Sequence, residues 1–140
     1  NVAQTSLKNF GALSLHKGHG KKGADLNEMY HIMAGFWGGV KQVFPEAWGL
    51  PPTQSRLMHS AGIQAMGVLM DRIVPRINRD KDFESNIVVA LKLLKPHCAW
   101  TEGEWDGLGM KWNEIQAVPR HIRSLAEYLV QLDYMNTKAK

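Results

Sequence analysis

The chain has 140 residues, 44% of them hydrophobic, enough to bury one sizeable core and too few for two full domains. Its net charge of +4 sits entirely in residues 1–24, where Lys8, Lys17, Lys21 and Lys22 meet no acid. From Asp25 onward basic and acidic residues cancel, so a charge argument for nucleic-acid binding applies to one end only. The longest apolar run falls far short of the roughly 20 residues that cross a bilayer, and the single cysteine, Cys98, excludes an internal disulfide and suits a reducing, cytoplasmic compartment.

The chain opens at Asn1 with neither signal-peptide nor transit-peptide pattern, which predicts an internal piece of a longer soluble protein. A short helix is predicted over residues 5–15, with Thr5 or Ser6 as cap and Leu7, Phe10 and Ser14 on one face. The segment HKGHGKKGA, residues 16–24, reads as a loop from its glycines. Residues 1–24 thus form a basic segment ahead of a helical domain over 25–135. Asp25 with Glu28 opens the clearest helix, whose stripe is Met29, Ile32, Met33, Phe36, Trp37, Val40 and Phe44. Pro45 ends it, since proline lacks the backbone donor and disfavours helical geometry in the residue before it.

The segment FPEAWGLPP reads as an ordered elbow anchored by Trp48 and Leu50. A second long helix is expected from Thr53 or Ser55 to Val74, with Leu57, Ala61, Ala65 or Met66, Leu69 and Ile73 inward. Gly62 and Gly67 would admit a close neighbouring helix, since a helical glycine otherwise costs about 0.8–1 kcal/mol. A third helix, over 82–94, runs from acid-rich DKDFES to Lys92 and Lys95, the polarity the helix dipole favours. Residues 97–117 carry Trp100, Trp105 and Trp112, too apolar together to stay in water, so this loop is expected to fold onto the core. Pro119 suits the first turn of a last helix with Ile122, Leu125, Leu129 and Leu132 inward, ending near Asp133, with residues 136–140 as a frayed tail. No segment alternates strongly enough to predict a strand. The fold class is all-α, an irregular bundle of four to five helices with an ordered tryptophan-rich loop.

No motif spells a catalytic centre. His16 and His19 have a spacing that fits zinc, but further ligands do not follow. His97 and Cys98 are adjacent, which generally points their side chains apart, against a nucleophile–base pair. Arg56 and His59 share a helical face and either contact a phosphate or partner or hold the elbow by hydrogen bonds. Glu102, Glu104 and Asp106 read as solvated carboxylates. Arg72, Arg76 and Arg79 cluster after the second helix, and Arg120 with Arg123 occupy the first turns of the last, where fork-shaped guanidinium groups and free N–H donors suit a phosphate. Pairing of these two with Glu114 and Glu127 is the competing reading. Lys17, Lys21, Lys22, Arg76, Arg79, Arg120 and Arg123 are therefore the candidate nucleic-acid contacts, with no metal or cofactor expected. A protein-interaction or oligomerisation surface built on Met29, Met33, Met58, Met66 and Met70 is the alternative.

Three segments in order, FWGGVKQVFPEAW, SRLMHSAGIQAMGVLMD and W-x-E-G-x-W-x-x-L-G-x-x-W-N-E-I-Q-x-x-P-R-x-I-x-x-L-x-x-Y-L, resemble the C-terminal half of DGQHR-domain proteins. The resemblance covers Leu7 to Tyr134. That family includes proteins encoded with DNA phosphorothioation and other DNA-modification or phage-defence systems, so it implies a helical domain that associates with DNA or with a partner. The family's naming motif, Asp-Gly-Gln-His-Arg, is absent here, so activity centred on it is not assigned to these residues.

Overall fold

Apolar residues recurring every three or four positions give four α-helices, which the computed structural model places as α1 (Leu26–Val43), α2 (Ser60–Ile73), α3 (Phe83–Leu94) and α4 (Pro119–Lys138). The described residues are 26–77 and 82–138; the helix expected over 5–15 and the glycine-rich loop lie outside them. Among the described residues the fold is all-α, as the periodicity predicts, apart from a two-stranded hairpin.

α1 buries Ile32, Phe36, Val40 and Val43 and packs on α3. The approach is close because Gly35 and Gly39 face α3: a Cβ on Gly35 would stand 2.5 Å from the Phe83 ring, and one on Gly39 2.6 Å from Ile87 Cγ2. Gln42 at the end of α1 donates to the Glu84 carboxylate. Beyond the helix, Lys95 Nζ donates to the Val43 carbonyl at 2.6 Å and lies 5.9 Å from the Phe44 ring centroid. One lysine from the turn after α3 thus satisfies a carbonyl that α1 leaves open at its C-terminus.

The second helix starts later than the sequence suggests, at Ser60 instead of Thr53 or Ser55. Residues 51–59 form a chain of turns in which the Arg56 N–H is drawn away to the Trp100 carbonyl, 2.8 Å, and Leu57 is fully buried. A contact with a loop more than forty residues on overrides local helix propensity there. His59, extended at φ −81 and ψ 151, is the N-cap, its Nδ1 accepting from the Ala61 N–H at 3.1 Å. Gly62 admits this elbow and not a neighbouring helix: an added Cβ would lie 1.8 Å from the Arg56 carbonyl oxygen.

The tryptophan-rich loop folds onto the core. It contains β1 (Glu104–Trp105) and β2 (Met110–Lys111), antiparallel with Trp105 opposite Met110, a pairing too short to leave a legible alternation. Trp100 and Trp105 are buried and join a chain of edge-to-face rings, Phe44–Trp100 at 6.2 Å, Trp100–Trp105 at 4.9 Å and Trp105–Tyr128 at 6.1 Å. Such pairs contribute about 0.5–1.5 kcal/mol each beyond burial, so this ladder ties the end of α1 through the loop to α4. α4 packs chiefly on α2 and also meets α3. It continues past Asp133 to Lys138, where a frayed tail was expected. Thr137 Oγ1 donates to the Asp133 carbonyl at 2.8 Å and Asn136 Nδ2 to that of Leu93 at 3.4 Å, tying its end to α3.

Candidate nucleic-acid interface and groove

Pro119 opens α4 because its missing N–H is not needed in a first turn. Arg120 and Arg123 follow one turn apart, both exposed and without an ion pair among the described residues. The expected partners are occupied or not engaged: Glu114 Oε1 accepts the Lys111 N–H at 2.6 Å, and Glu127 lies along the same groove wall as Arg123 without bonding to it. Two free guanidinium groups therefore stand at the positive end of a helix dipole.

Arg76 is placed differently. Its Nη1 and Nη2 grip Asp133 Oδ2 and Oδ1 at 2.7 and 2.5 Å, a two-pronged ion pair with a carboxylate that is 8% exposed. Arg76 thus fixes the end of α2 to α4 and does not join Arg120 and Arg123 as a free cation. Lys17, Lys21, Lys22 and Arg79, like His16 and His19, lie outside the described residues. No cluster of three or more metal-ligating side chains occurs among the described residues.

Arg56 and His59 serve the elbow. Arg56, 8% exposed, donates Nε to the Ile115 carbonyl at 2.8 Å, Nη1 to Pro52 at 2.8 Å and Nη2 to Asn113 at 2.9 Å, with its guanidinium carbon 5.5 Å from the Trp112 ring centroid. One side chain thereby clamps the elbow to the tryptophan-rich loop. Burial, reinforced by the Arg56 charge, lowers the pKa of His59, which keeps Nδ1 free to accept the cap bond. Burial pushes the Cys98 thiol up to about 12, and its Sγ lies 3.4 Å from the Leu94 carbonyl, the reverse of an activated nucleophile. Glu102, Glu104 and Asp106 are exposed on the hairpin. Of the five methionines considered as a surface, Met66 and Met70 are buried, and Met29, Met33 and Met58 are half-buried against the core.

Between α2 and α4 runs a groove of about 700 Å³ that the sequence does not reveal. Val68, Ile122, Ala126 and Val130 form its floor, while Arg72, Arg123, Glu127, Gln64 and Gln131 line its walls. Ile122 has the spacing of a core residue but is only half-buried, and Val68 is 37% exposed. The signal was faint: Val68 falls off the inward stripe of its helix, as a lone apolar residue on a polar face often does. The chain matches no family model, no curated protein and no solved structure in the three comparisons made.

Proposed function

We propose that this chain is a non-catalytic helical domain of a DNA-modification or phage-defence associated protein, and that it associates with nucleic acid through phosphate contacts. The observation that carries this reading is the pair of exposed, unpaired arginines, Arg120 and Arg123, on the opening turns of α4, with Arg72 across the groove. Guanidinium forks and the free N–H donors of a helix start both suit a phosphate. The four lysines of residues 1–24 add to the same sign of charge, and the resemblance to DGQHR-domain proteins supports the setting. Among the described residues His59 Nδ1 serves the helix cap and the Cys98 thiol is held protonated, which supports a binding role over a catalytic one.

The test is binding of a fluorescent duplex of about 20 base pairs to the full chain across a salt series. Replacing Arg120 and Arg123 together by Ala should weaken binding about tenfold at low salt and reduce the slope of log K against log salt by about 2, the loss of two phosphate contacts. Lys17, Lys21 and Lys22 changed together to Ala should reduce it further. Binding no tighter than about 10⁻⁴ M at low salt, or an unchanged slope in both variants, refutes the reading. A second reading, association with a protein partner, is favoured by the apolar groove floor.

A further inference from the structure

The floor of the α2–α4 groove is apolar where a phosphate backbone needs polar contacts, so the nucleic-acid reading leaves it unexplained. We propose that this groove is the docking site for an amphipathic helix of a partner protein, one that carries acidic residues on both edges of its apolar stripe. A helix laid in a groove presents side chains at i, i+3, i+4 and i+7 to the floor, and Val68, Ile122, Ala126 and Val130 offer a matching apolar strip. Pro119 and Gln131 mark its ends along α4, twelve residue steps or about 18 Å at 1.5 Å per residue, the length of three turns of a partner helix.

Charge complementarity selects the acidic partner. Arg72 rises from one wall and Arg123 from the other, with exposed Arg120 one turn beyond, against Glu127 alone of opposite sign. The helices run in the same direction, since Arg56 ahead of α2 bonds the Ile115 carbonyl ahead of α4, and Arg76 after α2 pairs with Asp133 in the later turns of α4. Arg72, on the last turn of α2, therefore lies toward the later turns of α4, and Arg123, on the second turn of α4, about two turns nearer its start. The partner's carboxylates therefore belong on opposite edges of its stripe, about two turns apart. A basic helix meets two arginines there, and a nucleic acid leaves the floor in contact with water.

The probe is a synthetic 14-residue helical peptide with leucines on one face and Glu on both flanks, its twin having Lys at every Glu, each labelled for fluorescence anisotropy with the full chain. The acidic peptide should bind at least about tenfold more tightly than the basic one, a gap that narrows with salt. Arg123→Glu should reverse that preference, and Val68→Asp should weaken both peptides; Val68 is already 37% exposed, so circular dichroism should show both variants folded. Lys92→Gln, exposed on α3 and outside the groove, should leave the acidic peptide's affinity within about twofold. Equal binding of the two peptides, or none, overturns the proposal. It is also overturned if duplex DNA binds and Val68→Asp weakens it as much as Arg123→Glu, or if the chain dimerises in light scattering and Val68→Asp makes it monomeric. The phosphate reading fails separately, by loss of duplex binding or of its salt slope with peptide binding intact.

Discussion

Replacing Arg56 by Met keeps most of the buried stem and deletes the guanidinium, so it isolates the clamp between the elbow and the tryptophan-rich loop. Three carbonyls lose their donor: that of Ile115 in a buried position, those of Pro52 and Asn113 part-buried. A hydrogen bond to a charged group contributes about 1.5–3 kcal/mol, and a buried acceptor left without a donor costs a similar amount. The two outer carbonyls recover water, and removing the buried charge relieves its own desolvation, which offsets part of the loss. The net expectation is a destabilisation of about 2–4 kcal/mol, a large share of the roughly 5–15 kcal/mol that holds a domain of this kind together. Arg56→Lys should lie between Met and the parent chain, since a compact ammonium keeps the charge but lacks the planar fork that reaches three carbonyls at once. Urea unfolding followed by far-UV circular dichroism gives the free energies. The near-UV signal should fall in the Met variant, because Trp112 loses the cation above its ring. A Met variant within about 0.5 kcal/mol of the parent, with its near-UV spectrum intact, would show that water already serves these carbonyls.

Three further outcomes are expected. Arg76→Ala should destabilise more than Asp133→Asn, because the first leaves a carboxylate 8% exposed without its cation and the second leaves an arginine 35% exposed that water solvates; equal losses in urea unfolding would contradict this asymmetry. Gly62→Ala should cost more than 2 kcal/mol or prevent folding, since its Cβ would meet the Arg56 carbonyl oxygen at 1.8 Å and the backbone would have to move; an alanine variant as stable as the parent places the elbow elsewhere. The lowered pKa of His59 means that the unfolded chain takes up its proton first. Its stabilising contribution is therefore complete above the unfolded value of about 6.5 and is lost as pH falls from there through the folded value. His59→Asn, which keeps a cap acceptor without a titrating ring, should flatten that part of the stability profile at a cost of less than about 1 kcal/mol; an unchanged slope would assign it to another group.

Helix existence was legible because burial imposes a period: Ile32, Phe36, Val40 and Val43 repeat at helical spacing, and Pro45 and Pro119 sit where proline stops or starts a helix. Arg120 and Arg123 were legible for the same reason, since a spacing of three on a helix start sets both on one side whatever packs beneath. The start of α2 was not, because the Arg56 N–H had to choose between its own turn and the Trp100 carbonyl, and that acceptor arrives from another part of the fold. Nor was the pairing of Arg76: its sequence neighbours suggest a basic cluster, while its partner Asp133 lies 57 residues away.

The sequence by itself determined the all-α class, the apolar faces and the sign of charge at each segment, because these depend on composition and on spacing within one helix. Only the tertiary structure decided which arginines are free, that Met66 and Met70 are core, and that Val68 of α2 lines one groove with Ile122 and Val130 of α4. Those are relations between helices, and periodicity gives the face each helix buries without saying which neighbour meets it or what gap is left between them.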